Sequence, residues 1–305
     1  MKPESNVGDR LTMTEPCGFA TDHVISRDGS SIGYYRIGHG PGLVLVQGAM
    51  GTAKNYMQLG EALADAFTVF IPDRRGRGLS PAGGDDYSIQ KEVDDLDALL
   101  VKTGAGYIFG LSAGALVSLQ AALKLHAVGK AAFYEPPLFV DGLPVALIKR
   151  YEKEMAEGRL AAAMITAMKA TQMGPQVLNV LPRGLLEWLT EKMMESEDRI
   201  AGSGDITMRM LAPTLMHDFQ IAAEMNGRLE SFRAISADVL LLGGSRSPNF
   251  LKVDLDALEK VLPQAKRLEF SGLGHSAAWN YDKQRNPDGK PERVAEELKR
   301  FFTKS

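Results

Sequence analysis

Residues 106–118 read GYIFGLSAGALVS, an apolar run that passes through the turn GLSAG (110–114) into an Ala- and Leu-rich stretch. The apolar residues before the turn predict a buried strand, and those after it predict a helix. A serine between two glycines at such a junction matches the G-x-S-x-G pattern, in which small neighbours allow a strained turn to expose the serine hydroxyl. The pattern predicts that Ser112 is a nucleophile, which requires a base and an orienting acid elsewhere in the chain.

Strand and helix patterns alternate on both sides of this turn. Two β-rich stretches near the N-terminus predict a hairpin, and Leu43 to Val46 predict a buried strand. Further strands are expected at FTVFIPD, YIFGL, KAAFYEP, ADVLLLGG and AKRLEF, with helices near 53–66, 88–103, 113–127 and 253–262 and a last helix from Pro291. Such alternation implies right-handed crossovers, so the predicted fold class is α/β, a mostly parallel sheet flanked by helices.

A segment of about ninety residues interrupts this alternation. From 138 to 230, apolar residues recur at the i, i+4, i+8 spacing of amphipathic helices, and strand patterns are missing. We therefore predict a helical cap over 138–230, inserted into an α/β core that is formed by 21–137 and 231–305. The polar, patternless residues 1–20 are expected to form an N-terminal arm.

One histidine has the setting of a catalytic base. His275, in EFSGLGHSAAWN, follows the last predicted strand in a Gly-rich loop, and loops at the C-terminal edge of a parallel sheet gather active-site groups. The other four histidines are expected to be surface or packing residues: His23, His39, His126 and His217. His275 is therefore the predicted base for Ser112.

The chain resembles the α/β-hydrolase superfamily with a helical cap, over roughly residues 20–305. Besides the GLSAG elbow, the resemblance rests on VLVQGAMG, PDRRGRGLSP and the GLGH histidine loop. It implies that the amides of Ala49 and Ala113 form an oxyanion hole, where two N–H groups stabilise the charge that develops on a carbonyl oxygen. Gln47 replaces the histidine with which the family's oxyanion loop usually begins. The arginines of DRRGRG are expected to be structural, surface or turn residues rather than substrate clamps.

The acid departs from the common family pattern. Most members carry an aspartate after the strand that follows the cap, in a G-x-x-D sequence, but this chain has Ser247 at that position. Some relatives, including zearalenone lactonases and one branch of haloalkane dehalogenases, carry the acid one strand earlier. The corresponding residue is Glu135, in AAFYEPP. The resemblance implies that Glu135 orients His275, while a solvated loop residue is the alternative.

Composition argues against several classes of partner and cofactor. The net charge is −3, from 35 basic and 38 acidic residues, and no basic block is longer than DRRGRG, so neither nucleic acid nor an anionic membrane is indicated. The single cysteine, Cys17, permits no intrachain disulfide. The sequence lacks clustered metal ligands, a Walker sequence and H-E-x-x-H, so no metal or other cofactor is expected. The cytoplasm is the expected location, because neither a signal peptide nor a membrane-length apolar stretch is recognisable.

The predicted cap is rich in methionine, with ten of the fourteen methionines between 151 and 230. Methionine adapts to irregular apolar ligands, so we expect an apolar substrate pocket. The residues expected to line it are Met50, Met164, Met168, Trp188, Met216 and Trp279. These features predict a serine hydrolase that cleaves a small hydrophobic ester or lactone through an acyl-enzyme, with a zearalenone-type lactone as one candidate. A C–C bond hydrolase or a biosynthetic cyclase on the same triad, and a non-catalytic small-molecule receptor, are the alternatives. A homo-oligomer is compatible with the sequence.

Overall fold

The computed structural model of the chain describes residues 18–82, 84, 86–174, 180–202 and 205–304. Within these residues, the strands are β1 Ala20–Ile25, β2 Ser31–Gly38, β3 Gly42–Val46, β4 Thr68–Pro72, β5 Tyr107–Leu111, β6 Lys130–Tyr134, β7 Asp238–Gly244 and β8 Lys266–Phe270. They form one sheet in the order β1-β2-β4-β3-β5-β6-β7-β8. The hairpin β1–β2 and the pair β2–β4 are antiparallel, and the other pairs are parallel. The predicted α/β class with a mostly parallel sheet is therefore confirmed.

The central strands divide their side chains between two apolar layers. In β3, Val44 and Val46 face one layer while Leu43 and Leu45 face the other, and all four are buried. Successive side chains of a strand point to opposite faces, so an uninterrupted apolar run indicates a sheet that is covered on both sides. The apolar runs that predicted these strands thus also reflect their position at the centre of the molecule.

Helices cover both faces of the sheet. Among the described residues, the helices are α1 Met57–Leu63, α2 Ile89–Thr103, α3 Ala113–Lys124, α4 Val145–Ala156, α5 Leu160–Ala170, α6 Arg183–Ile200, α7 Met208–Leu211, α8 Leu215–Met225, α9 Asn249–Val261 and α10 Pro291–Phe302, with 3-10 turns at Ala53–Tyr56, Ala212–Thr214 and Leu229–Ala234. The helices α1 and α10 pack on the face of Leu43 and Leu45, and α2, α3 and α9 pack on the opposite face. None of these helices combines the length and the apolarity that a membrane span requires.

Several helix boundaries differ from the prediction. The helix expected near 113–127 ends at Lys124, because Leu125 takes an extended conformation with φ −107° and ψ 106°. The helix expected near 253–262 begins at Asn249, directly after Pro248 with φ −52° and ψ 143°. Proline suits this place because a residue that precedes a helix does not need its own N–H for the helical hydrogen bonds.

All regular structure between β6 and β7 is helical in the part of the chain that the structure describes. We call residues 145–234, which contain α4 to α8, the helical insertion. Tyr151 and Phe219 belong to its apolar cluster, and Ala49 and Met50 from the loop after β3 pack against that cluster. The insertion therefore lies over the carboxyl ends of the central strands.

The predicted N-terminal arm extends too far along the chain. Its residues 1–17 lie outside the described residues, but Phe19 is buried, with its ring 6.4 Å from the ring of Tyr35 in an edge-on arrangement. The first strand then begins at Ala20. The α/β core consequently starts before residue 21, because an aromatic side chain just ahead of the strand is part of the core.

Candidate active site

The turn at Ser112 is strained and closely packed. Ser112 has φ 55° and ψ −124°, a conformation that residues with a Cβ atom rarely adopt. Its N–H donates to the carbonyl of Tyr134 at 2.9 Å, which ties the turn to the neighbouring strand end. A Cβ at Gly110 would overlap the carbonyl oxygen of Gly114, and one at Gly114 would overlap the carbonyl oxygen of Val46. Both glycines of G-x-S-x-G are thus required by close approach of the backbone.

Glu135 lies at the end of β6 and contacts His275. Its Oε2 is 2.6 Å from His275 Nδ1, and its Oε1 accepts a hydrogen bond from the N–H of Gly244 at 2.6 Å. The carboxylate is 0% exposed, and the residue has φ 48°. A buried carboxylate is stable only when its oxygens are paired, and here both are. The alternative of a solvated loop residue is therefore wrong.

Two glycines at the end of β7 make room for this carboxylate. A Cβ at Gly243 would lie 3.2 Å from Glu135 Oε1 and 2.8 Å from Cδ1 of Leu255. A Cβ at Gly244 would overlap the carbonyl oxygen of Leu273, in the loop that precedes His275. No role was predicted for these glycines from the sequence, although two adjacent glycines at the end of a buried strand are the usual signal of a close approach.

Ser247, at the position where most relatives carry the acid, does not replace it. Its side chain is buried, and its Oγ has no hydrogen-bond partner among the described residues. Its N–H donates to the carbonyl of Gly244 at 3.1 Å. The imidazole of His275 already contacts Glu135 through Nδ1, so the second acid position is not needed to orient the ring.

Tyr134, at the end of β6, holds the loop that carries His275. Its hydroxyl donates to the carbonyl of Gly274 at 2.8 Å, directly before His275. Burial raises the pKa of the Tyr134 phenol, and the nearby charge of Glu135 raises it further. The hydroxyl therefore keeps its proton and remains a donor to this carbonyl at any physiological pH.

The two predicted oxyanion-hole residues flank Ser112. Ala113 is the first residue of α3, where N–H groups have no acceptor within the helix and point outward. Ala49 follows Gly48, where an added Cβ would lie 3.0 Å from Cβ of Ser112. Gln47 is fully buried, and its amide nitrogen and oxygen have no hydrogen-bond partner within the described residues.

A cavity of about 530 Å³ lies between the helical insertion and the sheet. Ser112, His275, Ala49 and Ala113 all line it. Among the predicted pocket residues, four also line it: Met50, Met164, Met168 and Trp279. The structure thus brings the predicted nucleophile, base and oxyanion-hole residues to one largely apolar cavity.

Two of the predicted pocket residues do not line this cavity. Trp188 is 57% exposed on the outer face of α6, so the prediction for Trp188 is wrong. Met216 packs against the apolar cluster of the helical insertion instead of lining the cavity. Apolar residues on amphipathic helices were assigned to the pocket by residue type alone, which does not determine the direction in which a side chain points.

Comparison with known proteins places the chain in a family. The sequence model of the alpha/beta hydrolase family matches residues 43–297. The chain belongs to the alpha/beta hydrolase family. A crystal structure of an alpha/beta hydrolase from Sphaerobacter thermophilus is similar over 92% of this chain and 100% of that chain, with a TM-score of 0.73 and 30% sequence identity.

Two further proteins are similar in part of the sequence or in fold. A cis-3-alkyl-4-alkyloxetan-2-one decarboxylase from Shewanella oneidensis is 37% identical over 81 residues, which are 26% of this chain and 26% of that protein. This α/β hydrolase therefore matches about a quarter of the decarboxylase's length. A thermophilic esterase from Thermogutta terrifontis has a TM-score of 0.63 at 21% identity, covering 93% of this chain and 98% of that chain, and shares the fold.

The arginines of this α/β hydrolase's DRRGRG turn are buried, and the cavity lining described here includes none of them. Arg75 pairs with Asp28 and Asp95, both at 2.6 Å, which joins the turn to the N-terminal hairpin and to α2. The hydrogen bonds from Arg75 hold the pKa of the Asp28 carboxyl well below its usual range. These contacts fit the predicted structural role and rule out a surface position for Arg75.

The other two arginines meet one carboxylate of the helical insertion. Arg74 Nη1 is 2.8 Å from Asp218 Oδ1, and Arg77 Nη2 is 2.7 Å from Asp218 Oδ2. Arg77 Nη1 also donates to the carbonyl of Gly48 at 2.7 Å. Asp218 lines the cavity but was missed by the sequence analysis, because a single acidic residue on an amphipathic helix resembles any solvated one.

His217 lies beside this charge cluster. Its ring stacks on Tyr87, with centroids 3.9 Å apart and an interplanar angle of 13°. Burial lowers the pKa of the His217 imidazole, which favours the neutral ring. His217 is not among the residues that line the cavity, in keeping with the packing role expected from the sequence.

Proposed function

We propose that this α/β hydrolase is a serine hydrolase that cleaves small, uncharged hydrophobic esters or lactones through an acyl-enzyme. Ser112 Oγ attacks the substrate carbonyl, and His275 Nε2 takes the serine proton. The N–H groups of Ala49 and Ala113 stabilise the oxyanion, and His275 then protonates the departing alcohol oxygen. Water, deprotonated by the same imidazole, releases the acid and restores Ser112.

The contact between Glu135 Oε2 and His275 Nδ1 at 2.6 Å carries this proposal. A carboxylate on Nδ1 holds the imidazole in the tautomer whose Nε2 can accept a proton, and it stabilises the imidazolium that forms. The same ring lines the cavity together with Ser112, and Nε2 is the nitrogen left to act on the serine proton.

The residues that line the cavity favour an uncharged substrate. Met164, Met168 and Phe219 contribute apolar surface, whereas the charge of Asp218 is compensated by the arginines behind it. At the mouth, Arg246 and Asp288 form an exposed pair at 3.3 Å that balances its own charge. A charged substrate would lose its hydration inside this cavity without gaining a partner, which makes its binding unfavourable.

The chain's likeness to an esterase in fold agrees with ester chemistry but does not set the substrate. Lactones are included because the acid lies after β6, the arrangement that resembles zearalenone lactonases. The first test uses an alkyl fluorophosphonate, which labels activated serines, followed by a panel of p-nitrophenyl esters, aryl esters and macrocyclic lactones. We expect labelling of the peptide that contains Ser112 and turnover of esters or lactones, with both lost in Ser112→Ala.

Other results would overturn the proposal in distinguishable ways. A chain that binds apolar esters without labelling or turnover would be a small-molecule receptor. A chain that is labelled at Ser112 but cleaves only C–C bonds of β-diketones would be a C–C hydrolase. Labelling at another residue would remove Ser112 from the proposed mechanism.

A further inference from the structure

The loop that carries Ala49 is held from outside the cavity by a buried cation. Arg77 Nη1 donates to the carbonyl of Gly48 at 2.7 Å and contacts the carbonyl of Gly51 at 3.4 Å. Arg77 is among the most deeply buried large side chains of the described residues. A fully buried guanidinium needs a compensating anion, and Asp218 supplies it at 2.7 Å.

The geometry of the peptide bond gives this contact a consequence for Ala49. The carbonyl of Gly48 and the N–H of Ala49 belong to one peptide unit, and in a trans peptide they point in opposite directions. Because Arg77 fixes the direction of the carbonyl, it also fixes the direction of the N–H. The peptide lies directly against Ser112, since a Cβ at Gly48 would be 3.0 Å from Cβ of that serine. A cation on the carbonyl oxygen also polarises the unit and strengthens the N–H as a donor.

The anion in this arrangement comes from the helical insertion and not from the sheet. Asp218 lies on α8, and its two carboxylate oxygens bind different arginines, Arg74 through Oδ1 and Arg77 through Oδ2. Gly76, between these arginines, packs closely against the insertion as well, because an added Cβ would lie 3.4 Å from Cγ2 of Thr214. The position of α8 therefore determines how Arg77 is oriented.

The geometry points to Asp218 as a positioning residue that couples the helical insertion to the oxyanion hole. When α8 is seated, Asp218 aligns Arg77, Arg77 holds the Gly48 carbonyl, and the N–H of Ala49 is turned toward the cavity. This inference rests on the proposed function, because only a reaction that develops an oxyanion uses this donor. It assigns Asp218 and Arg77 to the support of catalysis, whereas the sequence predicted that the arginines are structural, surface or turn residues.

The test compares Asp218→Asn and Arg77→Lys with Glu92→Gln. Glu92 binds the other side of Arg74 and, within the described residues, makes no hydrogen bond or ion pair with Arg77, so its variant removes a charge from the same cluster without touching the Gly48 carbonyl. Arg77→Lys keeps the charge beside Asp218, but an ammonium lacks the planar fork that spans a carboxylate and a carbonyl. It also remains informative if Asp218→Asn does not fold.

The readouts separate orientation of the oxyanion hole from stability. The first is the affinity for an alkyl trifluoromethyl ketone. Ser112 Oγ adds to its carbonyl carbon, the oxygen becomes an oxyanion, and the serine proton passes to His275. The second is KM and kcat for an ester, normalised to the fraction of enzyme that a fluorophosphonate labels. The third is hydrogen–deuterium exchange of the peptide that covers residues 47–52, which needs no activity.

In Asp218→Asn and Arg77→Lys we expect ketone affinity and kcat to fall about 10- to 100-fold, less than the loss of a whole donor, with KM within about threefold. Exchange of residues 47–52 should accelerate in both variants and stay unchanged in Glu92→Gln. Unchanged ketone affinity and exchange, or equal losses in Glu92→Gln, would overturn the inference. If the wild-type chain neither turns over esters nor binds the ketone, the proposed function fails, and the exchange data still decide whether Asp218 orders the loop.

Discussion

At the scale of single residues, backbone strain is concentrated at the cavity. Among the described residues, those other than glycine with positive φ are Met50, Ser112, Glu135, Phe139 and Gln172. Four of them line the cavity, and the remaining one contacts His275. Strained conformations cost about 1–3 kcal/mol each and persist where the surrounding structure enforces them. Their grouping around one cavity supports its assignment as the functional site.

The strain at Ser112 can be measured with two inactive variants. Ser112→Ala should fold and lose at least about 10⁴-fold in kcat, because only the nucleophilic hydroxyl is removed. Ser112→Gly should be equally inactive but more stable than Ser112→Ala by about 1 kcal/mol, since glycine has no Cβ to clash at φ 55°. Thermal unfolding of both variants checks this. A glycine variant that is less stable than the alanine variant would show that the turn is not strained.

Glu135→Gln should lower kcat by about 10³- to 10⁴-fold without unfolding the chain. The N–H of Gly244 will bind the amide oxygen, so the amide NH₂ turns toward His275 Nδ1. The imidazole must then carry its proton on Nε2, which makes it the wrong tautomer for a base. Ser247→Asp is the control and should change kcat only a few-fold. Full activity of Glu135→Gln in steady-state assays would remove Glu135 from the mechanism.

At the scale of elements, the carboxyl ends of four parallel strands supply the site. The loop after β3 contributes Ala49, β5 leads to Ser112, β6 to Glu135, and the loop after β8 contributes His275. The end of β7 contributes no reactive group and instead gives space and an N–H to the carboxylate. Glu135, the proposed acid, can thus lie directly after β6 because Gly243 and Gly244 leave the end of β7 without side chains.

Gly244→Ala tests this role of β7. The added Cβ would overlap the carbonyl of Leu273, so the strand end and the histidine loop must separate. We expect a loss of about 2 kcal/mol or more in the free energy of unfolding and a fall in kcat as His275 is displaced. The matched control is Gly184→Ala in α6, where the Cβ meets nothing within 4 Å and should stabilise the chain by about 0.5–1 kcal/mol. If urea unfolding gave Gly244→Ala the same free energy of unfolding as Gly184→Ala, the prediction would be contradicted.

A buried carboxyl on α9 makes stability depend on pH. Asp254 accepts hydrogen bonds from the N–H groups of Phe139 and Val140, in the loop that follows Glu135. Burial raises the pKa of the Asp254 carboxyl from 3.8 to about 6, so the folded state holds this proton more tightly than the unfolded chain. This proton therefore adds to the free energy of unfolding below pH 4. As the pH rises through 6, about 3 kcal/mol of that free energy is lost.

Asp254→Asn isolates this group. The free energy of unfolding of the wild type, relative to that of the variant, should fall between pH 4 and pH 7, because an asparagine has no proton to lose. Denaturant unfolding at several pH values, at constant ionic strength, measures the difference. A difference that stays flat over this range would show that the carboxyl titrates equally in the folded and unfolded states.

At the scale of the whole molecule, the helical insertion closes an apolar cavity over the sheet. Its own cluster of Tyr151, Met164 and Phe219 packs against Ala49 and Met50 of the core. The cavity volume of about 530 Å³ lies in the range of small-molecule sites, which are mostly apolar with few polar groups. The helical insertion therefore supplies apolar wall to the cavity that Ser112 lines.

Substrate size should reflect this cavity. We expect kcat/KM for p-nitrophenyl esters to rise from acetate to hexanoate or a bulky aryl acyl group, since each buried methylene contributes about 0.8 kcal/mol. Met164→Ser should flatten this dependence, whereas Trp188→Ser, at an exposed site on the same insertion, should leave it unchanged. A preference for acetate or for a charged acyl chain would contradict an apolar acyl site.

Features that depend on neighbours along the chain could be predicted from the amino-acid sequence. The G-x-S-x-G turn, the alternation of strands and helices and the Gly-rich loop at His275 are local patterns, because turn chemistry and side-chain periodicity act over a few residues. They were sufficient to predict the α/β fold and to propose Ser112 and His275. The family resemblance added Glu135 as the proposed acid.

Contacts between residues far apart in the chain became evident from the folded structure alone. Glu135 and His275 are separated by 140 positions, and Asp218 and Arg77 by 141, so no local pattern reports these contacts. Trp188 shows the same limit, because its apolar surface looked suited to the pocket but points to solvent. Contacts of this kind depend on how strands are ordered and how the helical insertion is seated, and these are settled by burial of the whole chain rather than by any one segment.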